Sequence, residues 1–138
     1  MPRRPPGAVR AQQTPVGHRS RIAGLSARTI TALAQFDHRR RWPGCTAAAL
    51  QGYRRLLRQR GRWLDLEPEG CSCCGGPLDH RDNLEAALEA LPTPERAELR
   101  RLIAPLDDNL FRRSIPDPFW RPADGPYADR WWHHRMID

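Results

Sequence analysis

The positions of the prolines limit where this chain can form regular secondary structure. Four of its 14 prolines lie within residues 1–18, and four more lie between residues 116 and 126. Because proline fixes φ and has no backbone N–H to donate, both terminal segments are poor candidates for helices or strands. We therefore predict a disordered basic arm over residues 1–18 and an irregular, aromatic-rich arm over residues 113–138 that packs on the surface.

The remaining segment, residues 19–112, has the pattern of a single helical domain. A chain of 138 residues is the usual size of one domain, and the apolar residues of this segment recur at helical spacing. We predict an all-α, or mainly α, bundle of about four helices. Two basic helices are expected within residues 20–61 and an acidic helical hairpin over residues 82–112, with a cysteine-rich loop over residues 65–81 between them.

Local sequence signals indicate where these helices begin and end. Ser20 precedes the first apolar pattern. Asp82 is followed three positions later by Glu85, as in a capping box, so the third helix is expected to begin at Asp82. Thr93 is expected to cap the fourth helix, which Pro105 should kink or split. The second helix is expected to bury an apolar seam made of Leu50, Tyr53 and Leu57.

The charged residues are divided unequally between the two halves of the chain. Residues 1–63 contain 14 arginines and one acidic residue, Asp37, whereas residues 64–138 contain 9 arginines and 15 acidic residues. A GC-rich genome would explain why all the basic residues are arginine, but not why they are placed this way. The distribution predicts either a first half that binds a polyanion or an attraction between the two halves within the fold.

The arginines of the two basic helices are the predicted nucleic-acid contacts. One run follows the first helix, and further arginines recur with Gln51 at helical spacing along the second. Because arginine can donate two parallel hydrogen bonds to a phosphate, we expect contacts with the backbone of DNA or RNA. Few Asn or Gln accompany the arginines, so little recognition of base sequence is expected. The predicted contact residues are Arg39, Arg40, Arg41, Arg54, Arg55, Arg58 and Arg62.

Other interpretations of the basic half remain open at this stage. It could be a solvated charged face, or it could dock an acidic protein partner while the aromatic C-terminal segment anchors the contact. Residues 31–62 also faintly resemble a helix-turn-helix. The break expected between Asp37 and Cys45 is too long and too charged for that motif.

A cysteine cluster in the central loop predicts a structural zinc site. Cys71-x-x-Cys74-Gly-Gly has the form of a zinc knuckle and resembles half of a zinc ribbon, although no second Cys-x-x-Cys follows to indicate a ribbon fold. His80 lies close enough in the chain to fold back onto the same Zn²⁺, and Cys45 could be the fourth ligand, joining the two halves. Cys73 is then the spare thiol. Unliganded thiols, or a redox role, are the alternatives.

The candidate catalytic groups do not form a recognisable constellation, so the chain is not expected to be an enzyme. Asp107 and Asp108 are adjacent on a helix, where their side chains point to different faces, and a solvated helix end is the expected role. No phosphate-binding glycine loop or nucleophile elbow is present. The sequence also lacks a signal peptide and a membrane-length apolar run, which favours the cytoplasm. The expected function is that of a small zinc-containing accessory or regulatory protein that binds nucleic acid.

Overall fold

The computed structural model describes residues 21–40, 42–66, 76–121 and 128–136 of the chain. This part of the chain is mainly helical, as predicted, and contains four α-helices. The helices are α1 (Ala27–Arg40), α2 (Cys45–Leu57), α3 (Asp79–Ala90) and α4 (Thr93–Arg112). Two short strands, β1 (Ile115–Pro116) and β2 (Arg135–Met136), pair antiparallel, and a 3-10 helix (Trp131–His134) precedes β2.

Helix α2 lies in the middle of the core and packs most extensively against α3. The predicted seam of Leu50, Tyr53 and Leu57 is buried, which confirms that part of the helical pattern. These side chains pack with leucines and an isoleucine from the other helices. The buried residues contributed by α1, α3 and α4 include Leu33, Leu84, Leu88, Leu99, Ile103 and Leu110.

Helix α1 begins at Ala27 rather than near Ser20. Ser26 caps it, since its Oγ accepts a 3.3 Å hydrogen bond from the backbone N–H of Thr29. Glu98 of α4 reinforces this cap by accepting bonds from the Ser26 N–H at 2.9 Å and from Thr29 Oγ1 at 2.8 Å. These hydrogen bonds lower the pKa of Glu98, the one from the Ser26 N–H being the largest contribution. A partner so far along the chain leaves no local signal in the sequence.

The beginnings of α3 and α4 also differ from the prediction. Helix α3 starts at Asp79, so Asp82 lies within its first turn and does not cap it. The carboxylate of Asp82 instead binds side chains of the C-terminal segment. Thr93 makes no side-chain capping bond. Helix α4 is not split at Pro105 but continues to Arg112, because it buries apolar side chains on both sides of the proline.

The link between α1 and α2 is shorter than the sequence indicated. The break expected between Asp37 and Cys45 is wrong, because α1 runs to Arg40 and the link is only residues 41–44. Gly44 ends it with φ of 81°, in the left-handed region that favours glycine. Buried Asp37 accepts hydrogen bonds from Thr46 Oγ1 at 2.6 Å and from the Thr46 N–H at 3.3 Å, and so caps α2 from the preceding helix. Burial raises the pKa of Asp37, and the bonds from Thr46 partly oppose this shift.

The described part of the segment after α4 is more regular than predicted. Arg113 accepts a 3.1 Å bond from the Leu64 N–H, and its guanidinium donates to the carbonyl oxygens of Leu57 and Gln59 at the end of α2. Pro116 has no N–H to donate to the pairing of β1 with β2. The next residue, Asp117, donates instead, and its N–H lies 2.8 Å from the carbonyl oxygen of His134. None of the helices in the described ranges combines the length and apolarity needed to cross a bilayer.

Candidate nucleic-acid interface

The exposed side of α2 carries part of the predicted basic surface. A rotation of about 100° per residue places Ala48, Gln51, Arg55 and Arg58 on the same side of the helix. All four are exposed, and the opposite side of α2 is buried in the core. We call this set the α2 face. Arg54 is half-buried at its edge, and Arg62 is exposed just beyond the end of the helix.

The predicted arginines that the structure describes form two groups. Arg39 and Arg40 are exposed at the C-terminal end of α1, which leads into the start of α2. Arg55 and Arg58 lie at the other end of α2. Most of the length of α2, a helix of 13 residues that is about 20 Å long, lies between them in the chain. Arg41 lies outside the described residues.

Neither group is neutralised by the part of the chain that the structure describes. The ion pair that links the basic half to the acidic half there is Arg28 with Glu95, whose Nε and Oε1 are 2.6 Å apart. No ion pair with a described carboxylate forms at the predicted contact residues that the structure covers. Those residues are Arg39, Arg40, Arg54, Arg55, Arg58 and Arg62.

Several carboxylates of the acidic half are engaged elsewhere. Glu98 caps α1, and Glu85 and Asp107 bind Arg81. Asp82 binds Arg130 at 2.9 Å. Arg81 and Arg130 belong to the acidic half themselves, so these pairs form within that half, whereas Arg28–Glu95 and the Glu98 cap join the two halves. The arginines on the α2 face take part in neither set.

Aromatic side chains accompany the arginines at both ends of α2. Trp42, in the link before α2, is 55% exposed. Beyond the other end, the guanidinium carbon of Arg62 lies 4.9 Å from the centre of the Trp63 ring. Exposed aromatic rings can stack on nucleic-acid bases, and guanidinium groups can bind the adjacent phosphates. Both ends of α2 therefore carry the two side-chain types that nucleic-acid surfaces use.

The predicted zinc ligands lie only partly within the described residues. Cys71, Cys73 and Cys74 lie outside them. Cys45 is buried at the start of α2, and His80 lies in the first turn of α3 with its ring against Gly52. No group of three or more potential ligands that could hold a metal occurs in the described ranges.

The structure does not bring Cys45 and His80 together. Gly52, which His80 contacts, follows Cys45 by seven residues in α2. This spacing corresponds to roughly 10 Å of helix rise. Zinc bonds of about 2.0–2.3 Å place two ligands of one ion within about 4 Å of each other. A zinc ion held by Cys71 and Cys74 could therefore recruit one of the two described donors, but not both in this arrangement.

A buried polar network joins α2, α3 and α4. Asp107 Oδ1 accepts hydrogen bonds of 2.8 Å from both Tyr53 Oη and Arg81 Nε, and Glu85 accepts another of 2.8 Å from Arg81. Burial, and then the charge of Asp107, raise the pKa of Tyr53. Burial disfavours the charged form of Arg81, but the carboxylates of Asp107 and Glu85 outweigh it and raise its pKa. Asp107 is thus a structural partner, not the solvated helix end that was predicted.

A second set of contacts fastens the C-terminal segment to α3. Asp82 accepts hydrogen bonds of 2.9 Å from Trp132 Nε1 and Arg130, and His133 Nε2 lies 2.8 Å away. The guanidinium of Arg81 lies 4.0 Å from the centre of the buried Trp132 ring, which connects this set to the network around Asp107. A cleft of about 390 Å³ lies beside these residues and is also lined by Arg100 and Asp108.

The sequence contained a signal for this network that the helical pattern alone did not use. Asp107 follows buried Ile103 by four residues, and Arg81 precedes buried Leu84 by three. Both charged residues therefore occupy positions on the inward side of their helices, where a charge needs a partner.

Comparisons of the chain with protein-family models, with curated protein sequences and with solved structures found no match.

Proposed function

We propose that this protein binds nucleic acid by contacting phosphates with the two arginine groups at the ends of α2, in an accessory or regulatory role. The observation that supports the proposal most directly is that these guanidinium groups are exposed and make no ion pair with a described carboxylate. An arginine that binds a phosphate releases condensed counterions, which makes the binding favourable at low salt. The acid-free sequence of α2 adds no opposing charge to this surface.

The salt dependence of binding tests this proposal. Replacing Arg55, Arg58 and Arg62 together with alanine removes three exposed cations near one end of α2. If each binds one phosphate, the slope of log K against log[salt] becomes shallower by about 2 to 3. Fluorescence anisotropy with a labelled mixed-sequence duplex and a single strand, each titrated at several salt concentrations, measures this slope.

A second triple variant provides a control with the same change in net charge. Arg101, Arg112 and Arg121 are also exposed, but they lie on and after α4. Their replacement with alanine is expected to leave most of the slope intact. Equal slopes for the two variants would contradict the placement of the interface. A wild-type protein that binds neither nucleic acid at low salt would contradict the proposal and favour an acidic protein as the partner of the basic surface.

We also propose that Cys71 and Cys74 hold a structural Zn²⁺, with either His80 or Cys45 completing the set from the described part of the chain. The support is the Cys-x-x-Cys-Gly-Gly sequence and the position of His80 on the first turn of the helix that follows it. Zinc would then link the segment that carries Cys71 and Cys74 to α3 if His80 is a ligand, or to α2 if Cys45 is a ligand.

Elemental analysis of the purified protein tests the zinc site. The wild-type chain is expected to bind zinc in a one-to-one ratio, and replacing both Cys71 and Cys74 with serine should abolish it. Cys73→Ser is the matched control and should retain the metal. Separate His80→Ala and Cys45→Ser variants identify the described ligand, because only one of the two should lower the zinc content. Wild-type protein purified without zinc, and unable to bind added Zn²⁺, would contradict the site.

A further inference from the structure

The connection between α1 and α2 has the dimensions of a helix-turn-helix. In that motif, a turn of about three or four residues, often containing glycine, joins two helices, and the second helix enters the major groove of DNA. Here, residues 41–44 join α1 to α2, and Gly44 has φ of 81°. The break expected from the sequence was too long and too charged for this motif, but α1 continues to Arg40, which shortens the break and places Arg39 and Arg40 in the helix.

The α2 face has a shape and composition suited to a groove. Ala48 lies near the start of the helix and allows the backbone to approach a surface closely. Gln51 follows Ala48 by three residues, and Arg55 follows Gln51 by four. The longer polar side chains therefore project in the middle of the face. The opposite side of α2 is anchored in the core, which fixes the direction in which these side chains project.

Gln51 is available for recognition in a way that Gln59 is not. The amide of Gln59 donates a 3.0 Å hydrogen bond to the carbonyl oxygen of Asp65 and accepts one of 2.8 Å from its N–H. Gln51 is exposed and forms no hydrogen bond to the residues that the structure describes. Little recognition of base sequence was predicted because few Asn and Gln accompany the arginines. The structure nevertheless places one glutamine, Gln51, at the centre of the exposed face.

We infer that α2 enters the major groove of duplex DNA, where Gln51 contacts base edges and where Arg55, which binds phosphate on mixed sequence, contacts a guanine edge at a preferred site. A glutamine side chain can form two hydrogen bonds with adenine, and an arginine side chain can do the same with guanine. An α-helix is about 10–12 Å in diameter and the major groove of B-DNA about 12 Å wide, whereas the corresponding groove of duplex RNA is too deep and narrow for side chains to read. Arg39 and Arg40 at one end, and Arg58 at the other, then contact phosphates.

This inference rests on the proposed nucleic-acid binding, and its test separates the two. Wild-type protein is used to select binders from a pool of random-sequence duplexes, and the selected duplexes are sequenced. An enriched motif containing A·T and G·C positions is expected. Against that motif, Gln51→Ala is expected to lose about tenfold or more of its preference at one A·T position while its affinity for mixed-sequence duplex changes little.

Gln35→Ala is the matched control, because Gln35 is also an exposed glutamine but lies on α1. It should select the same motif as the wild type. Alanine is favourable in a helix, so neither substitution should unfold the protein, and far-ultraviolet circular dichroism checks this. A selected pool without any enriched motif, or tighter binding to single strands than to duplex, would overturn the inference. Salt-dependent binding in the same experiments would still support the proposed function. Absence of any binding would overturn both.

Discussion

Asp107→Ala is expected to lower the free energy of unfolding by about 3 kcal/mol, a large loss for a domain of this size. The substitution removes two hydrogen bonds from Arg81, whose side chain is only 6% exposed, and the acceptor of the fully buried Tyr53 hydroxyl. Removing one partner of a buried ion pair leaves the other charge poorly solvated, and the cost usually exceeds that of an ordinary surface contact. Glu85 still binds Arg81, which keeps the loss from being larger.

Asp108→Ala is the matched control, because it removes the same group from the adjacent, exposed position of α4. It should change the free energy of unfolding by no more than about 0.5 kcal/mol. Urea denaturation of the two variants and the wild type measures the difference. Similar stability for all three proteins would contradict the proposed role of Asp107 in the fold.

The Tyr53 hydroxyl gives this network a dependence on alkaline pH. Its pKa is raised in the folded protein, so folding favours the neutral phenol. This contribution to stability is fully present below the ordinary pKa of tyrosine, about 10, and is lost as the pH rises above it toward the folded value. The wild type should therefore lose stability over this pH range faster than Tyr53→Phe. Parallel curves for the two proteins would contradict the burial of the Tyr53 hydroxyl beside Asp107.

Gly52→Ala is expected to destabilise the protein by about 1 to 3 kcal/mol, although it replaces a glycine in the middle of a helix. Helix propensity alone predicts the opposite, a gain of up to about 1 kcal/mol. A Cβ at position 52, however, would lie 2.6 Å from His80 Nδ1, well inside ordinary van der Waals contact. The imidazole would have to move away from α2 at the most extensive helix–helix contact of the fold.

The double variant Gly52→Ala/His80→Ala identifies the cause of that loss. Removing the imidazole makes room for the new methyl group, so the double variant should be more stable than would be expected by adding the two single effects. Thermal denaturation of the four proteins completes the cycle. Strictly additive effects, or a stabilising Gly52→Ala substitution, would contradict the close approach of α3 to α2 at this position.

Apolar spacing predicted the helices because it is a local property of the chain. The buried seam of α2 follows from residues three and four positions apart, and no knowledge of the partner helix is needed to recognise it. Helix ends were predicted less well, since α1 and α2 are capped from other helices by Glu98 and Asp37. A side chain that caps a helix from another element has no fixed spacing from the cap, so a local motif cannot reveal it.

The sequence by itself determined that the chain is mainly helical, that Leu50, Tyr53 and Leu57 face inward, and that the basic residues are concentrated in the first half. Only the tertiary structure decided which arginines the carboxylates of the second half meet. Asp107 and Asp82 face inward and bind Arg81 and Arg130, whereas Arg55 and Arg58 face outward on a helix without acids. The physical reason is that burial depends on short-range periodicity, while the pairing of charges depends on distances through space between residues far apart in the chain.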